Sequence, residues 1–218
     1  MESIVGITKS VSSLVTQDYL DRLAKLPTRM QKALIVFAGN GWYLDLDMSF
    51  EELWGLEAAF MKGHIEEAEE SLSKYFESRL DTIENSIKDK FSHRSGLIGE
   101  AFEAHRTGKY SLSIPALFAQ TDGICKEIFD ENLFCGSIIF ARNKYVEQIT
   151  YDSLLEALLS PLKQSMPVNK TRQEREADFH GLNRHLVMHG ESLDFGTKVN
   201  SLKAISLFNY IARVIEDR

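Results

Sequence analysis

Only four prolines, Pro27, Pro115, Pro161 and Pro167, interrupt the 218 residues, and the long intervals between them carry apolar residues at three- and four-residue spacing. That spacing lays an apolar stripe along a helix and leaves the opposite side for solvent, so the sequence predicts an all-α helical bundle. The most regular example runs from His64 to Phe91, with Ile65, Ala68, Leu72, Tyr75, Phe76, Leu80, Ile83 and Ile87 at such steps. One long amphipathic helix is expected there. Its other face holds Glu66, Glu67, Glu69, Glu70, Glu77, Asp81, Glu84 and Asp89 and reads as solvated surface.

The same periodicity predicts helices over residues 16–25, 28–38, 50–61, 95–106, 115–129 and 151–159. Pro115 suits a first helical turn, where its missing N–H would have no partner anyway. Between Asp130 and Thr150 the pattern blurs; the β-compatible run Gly136, Ser137, Ile138, Ile139, Phe140 reads as a connection rather than a strand. Pro161 and Pro167 mark a further break. Thr171 with Glu174 has the form of a capping box, which predicts a helix from there to His189, stopped by Gly190. Asn200 is expected to cap a last helix bearing Leu202, Ile205, Leu207, Phe208, Ile211, Val214 and Ile215. The chain divides either into an N-terminal helical portion, 1–91, and a core, 92–218, or is one continuous domain.

A formal net charge of −7 argues against a protein that coats nucleic acid through many phosphate contacts. From Leu162 to Ala204, however, seven Lys/Arg face five Asp/Glu, so phosphate chemistry belongs in that stretch. Cys125 and Cys135 are separated by nine residues, which fits neither a redox pair nor a zinc knuckle, and both read as buried thiols. The N-terminus lacks a basic segment followed by a long apolar one, and nothing approaches the ~18 apolar residues of a membrane span. A cytoplasmic protein without membrane partners is expected. Gly39-Asn40-Gly41, followed by Trp42 and Tyr43, reads as a structural turn and not a phosphate loop.

The chemistry-bearing string is Phe179-His180-Gly181-Leu182-Asn183-Arg184-His185-Leu186-Val187-Met188-His189-Gly190. Phe179, Leu182 and Leu186 suggest a buried stripe. Arg184 and His189 would sit about 140° apart on an ideal helix and ~7.5 Å apart in rise, so they do not share a face by helical geometry alone. A departure from ideal geometry before Gly190, or a two-fold partner, could bring them together. Histidine can move a proton near neutral pH and arginine can hold phosphate oxygens, so the residue types suit phosphodiester cleavage. A helix C-terminus favours the protonated form of His189, as a general acid requires.

Asn183-Arg184-His185-Leu186-Val187-Met188-His189 resembles the signature of the HEPN superfamily, Arg-x4–6-His with a polar residue after the arginine, on the penultimate long helix of an all-α fold. The stretch Tyr110 to Ile124 is also similar to bacterial proteins of this type, and the likeness extends over about Arg94 to Ile215. The resemblance implies a HEPN-like core with additional N-terminal helices, acting as a homodimer and cleaving RNA without metal to leave 2′,3′-cyclic phosphate ends. It assigns Arg184 and His189 to catalysis and Asn183 or His185 to support. It also implies a setting in toxin or anti-phage defence, with a protein inhibitor or antitoxin as partner. Where a nucleotidyltransferase-controlled subgroup carries a tyrosine two residues after the histidine, this chain has Glu191.

Asp122 is a candidate to orient Arg184 or a histidine, and equally a surface or capping residue. Lys170, Arg172, Arg175 and Lys203 are candidate RNA contacts whose alternative is to solvate their helix faces. His185 and His189 share a helix face, but with no His-Glu-x-x-His pattern and no nearby cysteine, no metal or cofactor is expected. The alternative to an endoribonuclease is a non-catalytic module of the same kind that binds RNA, a nucleotide or a protein; a structural dimerisation domain is the third reading.

Overall fold

The computed structural model describes residues 17–130, 133–134 and 153–214. Cys135, the run Gly136–Phe140 and Ile215 lie outside them. The described residues form nine α-helices and no strand: α1 (Gln17–Gly39), α2 (Phe50–Met61), α3 (Ile65–Ser78), α4 (Leu80–Lys90), α5 (Ser95–Arg106), α6 (Tyr110–Phe129), α7 (Ser153–Leu159), α8 (Arg184–Met188) and α9 (Lys198–Val214). Short 3-10 turns at Ser92–Arg94 and Ser160–Lys163 join α4 to α5 and follow α7. None of these helices is long and apolar enough to cross a membrane.

The last helix is the centre of the packing. Twelve of the seventeen residues of α9 are buried, including Leu202, Ile205, Phe208, Tyr210 and Ile211, so it is covered on nearly every side, unlike a surface helix with one apolar stripe. It packs against α6, which in turn packs against α5, and α3 and α4 also meet it. Buried residues from Met30 to Val214 belong to one hydrophobic core that runs across position 91. Thr197, not Asn200, caps this helix: the Asn200 N–H donates to Thr197 Oγ1 at 3.2 Å, while its side-chain amide donates to the Phe195 carbonyl.

α2 and α5 occupy the expected residues. Elsewhere the boundaries differ for identifiable reasons. Residues 17–39 make one helix with Pro27 inside it instead of two. A proline in a helix removes one backbone hydrogen bond, and the burial of Met30, Ala33, Leu34 and Phe37 just beyond it outweighs that loss. Likewise α6 begins at Tyr110, five residues before its expected start, with Pro115 inside it.

The helix expected over 64–91 is instead two. Arg79 breaks it with φ −109° and ψ 2°, and its guanidinium reaches the fully buried carboxylate of Asp45 at 2.6 Å and Asp47 at 2.5 Å. Arg213, near the end of α9, grips Asp47 with both terminal nitrogens at 3.0 and 2.7 Å. The bend lets α3 face α9 and α2 while α4 turns onto α5. Apolar periodicity continued unbroken through Arg79, so only this tertiary anchor marks the corner.

A second correction concerns the chain around the motif. No helix runs from Thr171 to His189; residues 171–183 form successive turns, and only Arg184–Met188 is helical. Thr171 and Glu174 form one half of the expected capping box, the Thr171 N–H and Oγ1 donating to Glu174 Oε2 at 2.7 and 2.8 Å, while the Glu174 N–H donates to the Thr171 carbonyl. The turn does not propagate. Gly181 lies so close to the Phe179 ring and Pro167 that a Cβ there would sit 2.7 and 3.3 Å from them, and Asn183 turns its side chain back on the main chain, a local bond that competes with helix.

Candidate functional site

α8 is too short to hold itself in place, and one buried side chain does much of that work. Asn183, 1% exposed, caps the helix by accepting from the Leu186 N–H at 3.2 Å. The same Oδ1 accepts from Arg175 Nη1 at 2.9 Å, and Nδ2 donates to the carbonyls of Pro167 and Lys170 at 2.8 and 3.0 Å. Both protons and both lone pairs of the amide are therefore used. The Arg184 N–H adds a bond to the Val168 carbonyl at 2.9 Å. Residues 167–175 thus form a cradle that fixes where the side chains of the three candidates Arg184, His185 and His189 begin.

Those side chains diverge. Arg184 turns towards α6, with Nη2 4.0 Å from Asp122 Oδ2 and the guanidinium carbon 5.4 Å above the Phe134 ring. Asp122 also accepts from the Phe134 N–H at 3.4 Å. His185 and His189 lie one turn apart, with rings nearly parallel at 12° and centroids 5.9 Å apart. The His189 N–H, at the helix C-cap, donates to the His185 carbonyl at 3.0 Å, which sets that spacing.

The two histidines differ electrostatically. His185 is half-buried and its basicity is depressed, first by burial and then by the positive charges of Arg184, His189 and Arg175, with Glu191 pulling the other way. His189 is exposed at the helix end. One imidazole is therefore biased towards its neutral, proton-accepting form beside another open to solvent.

Of the four candidate RNA contacts, Arg172 is exposed, Lys170 sits 5.9 Å from the Phe179 ring, and Arg175 is turned inward onto Asn183. Lys203 is elsewhere. It forms an ion pair with Glu69, lies 5.8 Å above Trp42 and covers Gly41 with its methylene chain. Of the expected stripe, Leu182 is buried, while Phe179 and Leu186 are only half-buried.

Two groups were not legible in the sequence. Phe134 lies in a stretch without helical pattern, and nothing there signalled a ring beneath Arg184. Arg175 was legible as a cation but not as the partner of Asn183, although an asparagine just before Arg184 is itself a helix-start signal. Cys125 is no nucleophile: burial, and secondarily the Asp122 carboxylate, push its thiol up to about 12. Among the described residues no three His, Cys, Asp or Glu side chains converge to hold a metal ion.

Comparison with known proteins finds no matching family model, no matching curated protein and no matching solved structure.

Proposed function

We propose that the protein is a metal-independent endoribonuclease of HEPN type, in which Arg184 and His189 act on the phosphodiester and Asn183, His185 and Asp122 support them. The observation that carries this reading is the placing of Arg184 and His185 on one short helix, with His189 at its C-cap, by a buried, fully bonded Asn183. Arginine supplies a permanent charge for the phosphate oxygens, and a histidine beside it supplies proton transfer.

The motif departs from the family pattern in one respect, since it occupies a five-residue helix and not a long one. Arg184 and His189 also leave that helix in different directions, Arg184 towards Asp122 and His189 into solvent. The reading therefore includes a homodimer in which the exposed His189 of one protomer meets Arg184 of its partner. Lys170 and Arg172 belong to the cradle and would guide RNA towards α8. Cellular roles in defence or toxicity, and restraint by a protein inhibitor, belong to the same proposal.

The test is incubation of purified protein with total RNA and tRNA in excess EDTA, beside Arg184→Ala and His189→Ala. Cleavage by the wild type, lost in both variants, is expected. Unchanged cleavage in either variant would overturn the assignment, and RNA retained without cleavage by a folded dimer would replace it with an RNA-binding module.

A further inference from the structure

We propose that Phe134 is a positioning residue for Arg184: its ring holds the guanidinium in place while leaving the N–H donors for a phosphate. The inference rests on the ribonuclease reading and deepens it by naming what fixes the arginine of the site. The guanidinium carbon lies 5.4 Å from the centre of the Phe134 ring, within the distance at which a cation is attracted to an aromatic face. Asp122 Oδ2 stands 4.0 Å from Arg184 Nη2, too far for a hydrogen bond, so the carboxylate draws the charge without occupying a donor.

Arg79, Arg94 and Arg213 are held differently. Each places guanidinium nitrogens 2.5–3.0 Å from carboxylate oxygens. A carboxylate bound in that way fills the fork that would otherwise clasp a phosphate. Arg184 carries the same fork, and neither Phe134 nor Asp122 takes a donor from it.

The ring itself is fixed. Phe134 is buried, its ring stands edge-on to Phe118 at 5.6 Å and 74°, and its N–H donates to Asp122 Oδ1 at 3.4 Å. Phe118 and Asp122 are one turn apart on α6, so one face of that helix grips the ring and the main chain of Phe134 together. The other end of Arg184 is tied down as well, its N–H donating to the Val168 carbonyl at 2.9 Å. A long side chain held at both ends has already given up rotamer freedom that it would otherwise lose on meeting substrate.

The experiment measures cleavage of one RNA by the wild type, Phe134→Leu, Phe134→Tyr and Arg184→Lys. The phosphate at the cut site carries either its natural non-bridging oxygens or, in each diastereomer, a sulfur in place of one of them. The ratio of the oxygen rate to the sulfur rate, taken within one preparation, does not depend on how much of the protein is folded. Leucine keeps an apolar side chain without a π face, whereas tyrosine keeps the ring. Phe134→Leu is expected to lose about 10- to 10²-fold in kcat/KM on the oxygen substrate and to shift the ratio at one diastereomer in the same direction as Arg184→Lys. Phe134→Tyr is expected to return both towards wild type. An unchanged ratio in Phe134→Leu, whatever its rate, or a ratio in Phe134→Tyr equal to that of Phe134→Leu, would overturn the proposal and leave the ribonuclease reading standing. A wild type indifferent to sulfur in both diastereomers would do the same. A wild type that cuts none of these RNAs would remove that reading and this proposal together.

Discussion

Arg175 Nη1 donates to Asn183 Oδ1 at 2.9 Å, so a cation eight residues upstream completes the bonding of the amide that starts the motif helix. Replacing Asn183 by Ala would strand the Pro167 and Lys170 carbonyls and leave α8 uncapped. A lost cap together with a buried polar group left unsatisfied predicts a destabilisation of about 2–4 kcal/mol. Urea denaturation checks this, and a midpoint unchanged from wild type would show that the cradle is held by other contacts.

Asp122 is expected to matter for activity far more than for stability. Its carboxylate is at the outer limit of contact with Arg184, at 4.0 Å, and both side chains are partly exposed, so Asp122→Asn should change stability by less than ~1 kcal/mol. If the charge orients Arg184 over Phe134, kcat/KM for RNA falls about 10-fold or more, the scale on which misplacement of a catalytic group acts. A loss of stability without any change in kcat/KM would assign Asp122 a structural role instead.

How far the chain could be read in advance follows from where the information lies. α2 and α5 were legible from apolar spacing, and the structure shows local ends at both: a Ser49–Glu52 capping box before α2 and a Thr107-Gly108 turn after α5. The bend at Arg79 was not legible, because its cause is Asp45, thirty-four residues away in sequence. The cradle was misread for a related reason: Thr171 and Glu174 make one half of the expected capping box, but no helix follows, as Gly181 packs against the Phe179 ring and Asn183 turns back. The motif residues were legible individually. The turn of Arg184 towards Asp122 and Phe134 was not, since both partners are distant in sequence.

The Asp45 anchor gives a stability prediction independent of function. Asp45 is fully buried, bound by Arg79 at 2.6 Å and by the Tyr75 hydroxyl at 3.3 Å. Asp45→Ala leaves Arg79 with only Asp47, itself shared with Arg213, and should cost about 3 kcal/mol by thermal or urea unfolding. A loss under ~1 kcal/mol would mean that the corner between α3 and α4 is set by apolar packing alone.

His105 gives a pH prediction. It is buried, and Ser113 Oγ donates to the Ala101 carbonyl while Ser201 Oγ donates to Ser113 Oγ, so His105 Nδ1 carries the proton and donates to Ser201 at 2.8 Å. Burial lowers its pKa to about 4, against an unfolded value near 6.5. Between these values the unfolded chain binds the extra proton, so the contribution of His105 to stability is full above about pH 6.5 and is lost as pH falls towards 4. In His105→Asn, which keeps a donor for Ser201 without titrating there, the slope of unfolding free energy against pH in this window should drop by nearly one proton. Parallel curves for the two proteins would contradict this.

The central claim, that Arg184 and His189 serve a cleavage initiated by the RNA itself, is tested most directly by one substitution in the substrate. After the cut site in an RNA has been mapped in EDTA, the ribose 5′ to that bond is replaced by 2′-deoxyribose and cleavage is measured again with the wild-type protein. The account predicts a cut at the all-ribose site leaving a 2′,3′-cyclic phosphate, and none at the deoxy site. Absence of any cut in the all-ribose RNA, or equal cutting of both, would contradict it.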